Sequence, residues 1–247
     1  NDLSMLGAEP LYLSCGFVLE EGLPLATLEA VVASMGQSLN GCTLQIVTGD
    51  TKVVPKGAVD KLFINTTGIG RLVGPNPPRG HRAEPGDAIL VSGTVGDHGL
   101  AVLSNREGMR FDSPVISDSA MLHPLVDSLL QAVPDIHVLR DPTRGGLATT
   151  LNEIAQQSAQ EFVIQEEAIP VHDAVSEGCS FLGLDPLYLA NEGKFLCILP
   201  QAQAQTALDL LQAHPLGRAA RCIGEVRTGQ SGRVILQTAF GGERFLR

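Results

Sequence analysis

The sequence predicts an α+β protein built from two domains. Its 247 residues are 44% hydrophobic and 18% charged, which is enough apolar material for a buried core and excludes a disordered chain. Apolar residues recur at helical spacing in some segments and form short β-prone runs in others. A polar stretch rich in proline and glycine, residues 74–86, has neither period and is typical of a linker. We therefore expect one domain at residues 1–83 and a second at residues 84–247.

The first domain is predicted to contain a helix followed by strands. Residues 25–39 place apolar side chains at steps of three and four between a proline and a glycine, which favours a helix. The β-prone run at residues 43–48 then stops at the turn residues Gly49 and Asp50. Two more short strands are predicted at residues 53–54 and 62–67.

The second domain is predicted to form a sheet with its helices on one face. Two of its helices follow each other directly and its last two strands are joined by a short turn, so strict βαβ alternation is disfavoured. In chain order the predicted elements are a strand at 88–92, helices at 98–106 and 121–132, a strand at 136–139, a helix at 147–157, a strand at 162–165, a helix at 172–181, a strand at 195–199, a helix at 202–213 and strands at 221–226 and 234–237.

The composition excludes several classes of function. There are 17 Lys and Arg against 27 Asp and Glu, a net charge of −10, and so acidic a chain repels a nucleic-acid backbone. No apolar run is long enough to span a bilayer and no basic-then-apolar leader opens the sequence, so we expect a cytoplasmic protein without membrane association. The five cysteines show no CxxC spacing and no clustering with histidine, which disfavours a zinc site and predicts reduced core thiols.

Four motifs carry side chains suited to chemistry, and the first is Gly49-Asp50-Thr51-Lys52. It follows a predicted buried strand, and a strand end holds side chains rigidly. Asp50 is a candidate ligand of Mg²⁺, and Lys52 is a candidate contact of a phosphate or a developing anion. The alternative is a solvated hairpin turn with a local ion pair.

The second motif, at residues 92–99 (SGTVGDHG), runs from a predicted strand into a helix. Backbone N–H groups at such a helix start bind anions, and glycines such as Gly96 permit close approach. The motif lacks the Gly-Lys-Ser/Thr ending of a Walker loop. In the alternative interpretation it is a tight turn in which Asp97 caps the helix.

The third motif, at residues 140–147 (RDPTRGGL), also joins a strand to a helix. Arg144 is a candidate for a forked phosphate contact, and Asp141 either orients it or binds a cation. The alternative makes Asp141 or Thr143 a helix cap and the arginines surface charges. Two glycines at the helix start disfavour this alternative slightly, because glycine there costs helix stability.

The fourth motif, at residues 190–194 (ANEGK), lies between two apolar stretches. A carboxylate held between hydrophobic strands is a candidate general acid or base, and we expect that role for Glu192. The same residues are equally compatible with an exposed Asn-Glu-Gly turn.

Taken together and in this order, the four motifs resemble the carbamoyl dehydratases of hydrogenase maturation, which belong to the AIR synthase-related (PurM-like) ATP-dependent superfamily. The opening NDLSMLGAEPLYLSCGFVLEEGLP is similar to the Asn-Asp segment and the Leu-Ser-Cys-Gly-Phe strand of that family. The aminoimidazole ribotide synthases favour Gly-Gly-Glu-Thr where this chain has Gly-Asp-Thr-Lys. The resemblance implies a PurM-like two-domain α+β architecture. Its N-terminal ATP-binding domain, which dimerises through its sheet, is expected to be truncated, and its C-terminal AIR synthase-like domain complete.

The resemblance also implies an activity and its partners. In that family ATP and Mg²⁺ activate a carboxamide on the sulfur of a C-terminal cysteine. Loss of phosphate leaves a thiocyanate, whose cyanide passes to the iron of a nickel–iron hydrogenase. The implied partners are a HypF-like carbamoyl transferase, a HypC–HypD-like iron–cyanide scaffold and, in the intact protein, a second copy of the chain.

Carried over residue by residue, the resemblance implies roles for the motif side chains. Glu192 and Lys52 are the expected catalytic residues, and Glu192 is our candidate for the base that removes protons from the amide nitrogen. Asp2 and Asp50 are the expected metal ligands. The motif chemistry described above adds the remaining candidates, and together the expected nucleotide-binding residues are Gly49, Asp50, Thr51, Gly96, Asp141 and Arg144.

The printed sequence has neither the Gly-rich segment that precedes Asn-Asp in the family nor its Pro-Arg-x-Cys tail. We therefore expect a fragment of a longer protein, with little activity of its own. Two alternatives stay open. One is another PurM-like enzyme that activates an amide or transfers a phosphoryl group, and the other is a non-catalytic scaffold for maturation partners.

Overall fold

The computed structural model describes residues 1–109, 115–230 and 232–246. The chain divides into two compact units. The smaller unit is Ala8–Val73, and the larger unit combines Asn1–Gly7 with Gly74–Arg247.

The smaller unit is a three-stranded sheet with one helix. Its elements are β1 (Ala8–Glu20), α2 (Leu25–Ser38), β2 (Gln45–Val54) and β3 (Leu62–Leu72). The helix α1 (Asp2–Met5) precedes them in the chain and belongs to the larger unit. The strand order is β2-β1-β3, and β1 is parallel to β2 and antiparallel to β3. The predicted helix at residues 25–39 is confirmed by α2.

The structure corrects the prediction of a turn at Gly49 and Asp50. Both residues lie inside β2, which continues without interruption to Val54. Gly49 pairs with Cys15 on β1, and a Cβ atom at Gly49 would overlap the carbonyl oxygen of Cys15. The glycine is therefore explained by close approach of two strands, which is one of the recognised uses of glycine within a sheet.

The larger unit contains a seven-stranded sheet. Its strands are β4 (Asp87–Val91), β5 (Val138–Arg140), β6 (Glu161–Gln165), β7 (Leu196–Pro200), β8 (Arg221–Arg227), β9 (Arg233–Gln237) and β10 (Glu243–Leu246). The strand order is β10-β9-β6-β8-β4-β7-β5, and all neighbours are antiparallel except β6 and β9.

Helices cover both faces of this sheet, which corrects the expectation of helices on one face. The helices of this unit are α1 (Asp2–Met5), α3 (Asp97–Glu107), α4 (His123–Ala132), α5 (Gly146–Ser158), α6 (Asp173–Leu182) and α7 (Gln201–Ala213). One face packs Ile89 and Ile198 against α5, and the other packs Leu90 and Cys197 against α4 and α7. The reason is visible in β4 and β7, whose near-continuous apolar runs are typical of strands buried on both sides.

Residues 74–86 are tied to the larger unit by hydrogen bonds. The N–H of Arg79 donates to the carbonyl of His137 at 2.9 Å. The guanidinium of Arg82 donates to the carbonyl of Ile136 at 3.1 Å. Gly80–Arg82 form a single 3₁₀ turn. This proline- and glycine-rich segment is therefore ordered structure and lacks the freedom of a flexible linker.

The five cysteines are all free thiols, but they do not all lie in the core. Cys15, Cys179 and Cys197 are buried, and burial raises the pKa of the thiols of Cys179 and Cys197. Cys222 is exposed on β8, because the adjacent Ile223 takes the core-facing side of that strand. The prediction of core thiols is thus wrong for Cys222.

None of the helices in the described ranges is long and apolar enough to cross a bilayer.

We expect Gly146→Ala to destabilise the protein much more than Gly183→Ala. Both glycines have left-handed backbones, with φ of +65° and +69°, so alanine costs each about 1–3 kcal/mol of backbone strain. Only at Gly146 would a Cβ also meet the carbonyl oxygens of Leu187 and Leu189, at 2.6 and 2.5 Å, whereas Gly183 has open space. Denaturant unfolding of both variants measures the difference, and equal losses of unfolding free energy would contradict the packing argument.

Candidate active site

A cleft of about 660 Å³ lies in the larger unit and is rich in charged side chains. Its charged lining residues are Asp2, Arg79, Arg140, Asp141, Arg144, Glu153 and Glu192. The opening Asn1-Asp2 segment and the third and fourth motifs, RDPTRGGL and ANEGK, therefore meet at one cavity. Positive and negative groups line it together, as a site for an anion and a cation requires.

The fold places these side chains at the ends of elements. Asp2 is the first residue of α1, which packs against α4 and β5 and is anchored by the buried Met5. Asp141 follows the last residue of β5, and Arg144 precedes α5 by two residues. Side chains held at element ends by a packed scaffold keep their direction, so the cleft is built on rigid parts of the unit.

Asp2 and Asp141 form a carboxyl pair. The pKa of Asp141 is raised, chiefly because burial disfavours its charged form and further because Asp2 contributes negative charge and a side-chain hydrogen bond. Hydrogen bonding to the backbone and the charge of Arg140 act in the opposite direction but do not cancel the shift. Two such carboxyl groups are stabilised either by a shared proton or by a cation placed between them.

These two oxygen donors are the residues of the cleft that fit a divalent metal ion. Carboxylate oxygens are the ligands that Mg²⁺ prefers in proteins. Within residues 1–109, 115–230 and 232–246, no group of three or more His, Cys, Asp or Glu side chains is arranged to hold a metal. A metal at Asp2 and Asp141 would therefore need further ligands from a bound phosphate or from water, which is common for Mg²⁺.

Glu192 lines the cleft, but its surroundings differ from the prediction. It is exposed and lies in a bend just before β7, and the apolar residues that precede it include a 3₁₀ turn, Pro186–Tyr188. The prediction of a carboxylate held between two hydrophobic strands is wrong, because only the following stretch is a strand. What brings Glu192 to the cavity is the path of the loop.

The SGTVGDHG motif is joined to the cleft motifs through Asn191, a residue of the ANEGK motif for which the sequence predicted no role of its own. Asn191 is fully buried, and its side-chain oxygen accepts the N–H of Gly96 at 2.8 Å. Its amide nitrogen donates to the carbonyls of Pro142 and Leu189, at 2.9 and 3.1 Å. Gly96 is buried and is not among the residues that line the cleft, and its N–H is occupied by Asn191.

The remaining predicted site residues lie in the smaller unit. Gly49, Asp50, Thr51 and Lys52 are consecutive residues of β2 and all are exposed. The Asp50 carboxylate accepts the N–H of Thr51 at 2.8 Å. Their predicted roles in binding Mg²⁺ and phosphate stay predictions.

We expect Asp141→Asn to raise the thermal stability of the ligand-free protein at about pH 7 and to change it little below about pH 4. Because the pKa of Asp141 is raised in the folded state, the native protein binds more protons than the unfolded chain across that interval. Unfolding free energy therefore falls as pH rises through it, and asparagine removes this loss. Calorimetric melting at both pH values is the measurement.

The control for this comparison is Asp209→Asn, which alters an exposed carboxylate on α7. It should leave the pH dependence of melting unchanged. A parental pH profile in Asp141→Asn would show that Asp141 carries no charge penalty in the folded protein.

Comparisons with known proteins agree with this architecture. Residues 84–237 match the C-terminal domain model of AIR synthase related proteins, and residues 1–72 match the N-terminal domain model. The chain is 53% identical over 244 residues to the carbamoyl dehydratase HypE of Cupriavidus necator, covering 99% of this chain and 70% of that protein.

Solved structures agree as well. The hydrogenase maturation protein HypE in complex with ATP has 58% identity and a TM-score of 0.98, over 100% of this chain and 76% of the other. HypE from a HypE–HypF complex has 45% identity and a TM-score of 0.95, over 100% and 80% of the two chains. The predicted PurM-like α+β fold is confirmed. The chain belongs to the HypE family of hydrogenase maturation proteins, within the AIR synthase-related superfamily.

Proposed function

We propose that this protein is an ATP-dependent carbamoyl dehydratase. It converts a carboxamide on the thiol of a C-terminal cysteine into a thiocyanate, and the cyanide is delivered to the iron of a nickel–iron hydrogenase. The observation that carries the proposal is the cleft, where a carboxyl pair suited to a divalent cation and a third carboxylate, Glu192, line one cavity. The names of relatives that are about half identical support the same reaction.

The chemistry requires an activated oxygen and a base. An amide oxygen leaves poorly, so the γ-phosphoryl group of ATP is first transferred to it and ADP departs. The carbon–oxygen bond then breaks with release of phosphate, while the nitrogen loses its protons and the carbon–nitrogen triple bond forms. Each product is accounted for: thiocyanate, ADP and inorganic phosphate.

Asp2 and Asp141 hold Mg²⁺ in this proposal. Their fit rests on the raised pKa of Asp141, which marks a pair whose shared negative charge a cation would relieve. A metal ion held there would supply charge neutralisation for the phosphates of the nucleotide. When no metal is bound, Asp141 retains its proton more readily than an isolated aspartate does, because its pKa is raised.

Arg144 and Glu192 act on the nucleotide and the substrate respectively. Arg144 is exposed at the cleft two residues before α5, where a planar guanidinium can bind a phosphate through two parallel hydrogen bonds. Glu192 removes a proton from the amide nitrogen after phosphorylation. Its exposure to the cavity supports this role, since a base must reach a substrate that enters from outside.

Other assignments rest on the sequence motifs and on the family resemblance. We propose that Asp50 binds Mg²⁺, that Lys52 stabilises charge on the transferred phosphoryl group, and that Gly49, Thr51 and Gly96 contribute to nucleotide binding. We also propose that residues 1–83 form the remainder of the N-terminal ATP-binding and dimerisation domain and that residues 84–247 form the C-terminal domain.

The proposed partners follow from the same reaction. A carboxamide must be placed on the cysteine by a carbamoyl transferase, and the solved HypE–HypF complex of a relative supports a HypF-like protein in that role. A HypC–HypD-like scaffold would receive the cyanide, and the intact protein would act as a homodimer.

The full-length gene product, carbamoylated beforehand and incubated with Mg-ATP, provides the test. Mass spectrometry should show loss of one water from the C-terminal cysteine, with one ADP and one phosphate released per event. Phosphate that stays on a product would indicate a kinase-like enzyme, and no ATP consumption would indicate a scaffold.

A further inference from the structure

Asp118, which belongs to none of the four motifs, holds the backbone of Glu192. Its Oδ1 accepts the N–H of Glu192 at 3.0 Å across 74 residues of sequence. Its Oδ2 lies 3.3 Å from the Nζ of Lys194, two residues further along the same loop. One carboxylate therefore holds the loop that carries the proposed base at two points, the N–H of Glu192 and the side chain of Lys194.

The other peptide group of Glu192 is held by Asn1. The side-chain nitrogen of Asn1 donates to the carbonyl of Glu192 at 3.1 Å and to the carbonyl of Ala120 at 3.0 Å. Its side-chain oxygen accepts the N–H of Leu122 at 2.9 Å. The N–H of Glu192 is thus bound by Asp118, and its carbonyl is bound by Asn1, which also contacts Ala120 and Leu122 near Asp118.

The ion pair in this arrangement is nearly inaccessible to water. The side chains of Asp118 and Lys194 are only 3% and 13% exposed. Glu192, whose N–H donates to the same Asp118 carboxylate, is exposed. Gly193 packs against the backbone of Asp118 so closely that a Cβ there would overlap the Asp118 carbonyl. A buried ion pair is weak evidence for stability, but this one holds the Lys194 side chain of the loop against Asp118 at 3.3 Å.

We infer that Asp118 is a positioning residue for Glu192. By fixing the peptide groups on both sides of the Glu192 Cα atom, together with Asn1, it limits the exposed carboxylate to directions that enter the cleft. Errors of about 1 Å in the placement of a reacting group can cost about 10²-fold in rate, which sets the scale of the expected effect. The inference rests on the proposed function, in which Glu192 is the base.

The experiment compares four single variants of the full-length protein, Asp118→Ala, Asp118→Asn, Asp185→Ala and Glu192→Gln, and the double variant that combines Asp118→Ala with Glu192→Gln. Asparagine keeps an oxygen that accepts the Glu192 N–H, whereas alanine removes it. Asp185 is the control, since it also accepts a backbone N–H, from Leu187 at 2.9 Å, and pairs with a cation, Arg244, at 2.9 Å. Unlike Asp118, it has neither Glu192 nor Lys194 as a hydrogen-bond partner.

We expect Asp118→Ala to lower the rate of thiocyanate formation about 10²-fold while ATP affinity stays unchanged. Asp118→Asn should retain most of the parental rate, because its side-chain oxygen still accepts the Glu192 N–H. Asp185→Ala should stay within about twofold of the parental rate. Amide hydrogen exchange at Glu192 should accelerate in Asp118→Ala and not in Asp185→Ala. Adding Asp118→Ala to Glu192→Gln should cause little further loss, because both act through one carboxylate.

The outcomes separate the two proposals. Unchanged exchange at the Glu192 amide in folded Asp118→Ala, or losses that multiply in the double variant, would overturn the positioning role. A parental rate in Glu192→Gln would overturn the assignment of the base, and with it any catalytic consequence of Asp118. Accelerated exchange with a parental rate in Asp118→Ala, while Glu192→Gln is slow, would reject the positioning role alone.

Discussion

We expect Glu192→Gln to lower the rate of thiocyanate formation by about 10²- to 10⁴-fold, the usual cost of losing a general base. Glutamine keeps the size and hydrogen-bonding capacity of glutamate and loses its basicity. Glu192 is exposed at the cleft, so the substitution should leave folding and ATP affinity unchanged. The rate is followed by mass spectrometry from pre-carbamoylated protein, and ATP affinity is measured by calorimetry on the same preparation.

Glu153→Gln is the matched control for this experiment. Glu153 is the other glutamate that lines the cleft, and its carboxylate pairs with Arg140 at 2.9 Å. The control changes the cleft charge by the same amount at a group already engaged by an arginine. Equal rate losses in both variants would show that net charge matters and that Glu192 has no special role, in which case Asp50 is the next candidate for the base.

Local patterns in the sequence were sufficient for most helices and strands. The apolar spacing within α7 (Gln201–Ala213) and the β-prone runs of β6 and β9 each involve only residues that are close together in the sequence. These elements can therefore be recognised without knowledge of distant contacts. The two-sided burial of the sheet was also encoded, in the continuous apolar run that contains β7. The two adjacent helices at residues 98–106 and 121–132 favour the opposite arrangement, with helices on one face, so the two patterns disagree.

The short elements were harder to predict because tertiary contacts form them. α1 has four residues and β10 has four, too few for either period to register. β10 exists through pairing with β9, and α1 through packing on α4 and β5. A tertiary contact also explains the wrong prediction in β2. Gly49 suggested a turn, but it is a glycine because β1 passes too close to leave room for a side chain.

The candidate site likewise contains residues that local sequence identifies and residues that only tertiary contacts identify. Asp141 and Glu192 sit in motifs whose residue types suggest chemistry, and the structure brings both to one cleft with Asp2. Asp118 lies outside all four motifs, and Asn191 lies inside one without any sign of its role, because the partners that define those roles are 74 and 95 residues away in the sequence. Residues that hold a site together are found through contacts, whereas residues that react are often recognisable by type and spacing.

We expect Lys52→Ala to lower the rate of thiocyanate formation by about 10²- to 10³-fold, the usual cost of removing one group that stabilises developing charge. Lys52 is exposed within β2, so its loss should not change the melting temperature. The proposed role places its ammonium on the phosphoryl group as negative charge builds up, and the loss should therefore be larger in the rate than in ATP affinity. Rate and affinity are measured as for Glu192→Gln.

Lys56→Ala separates this role from a general effect of positive charge. Lys56 is also exposed, and it follows the end of β2 by two residues, so it changes the net charge of the same unit equally. A parental rate in Lys56→Ala with a slow Lys52→Ala would support a specific contact, because long-range charge effects are similar for neighbours on one surface. A parental rate in Lys52→Ala would remove this lysine from the mechanism and leave the phosphoryl charge to Arg144 and the metal pair.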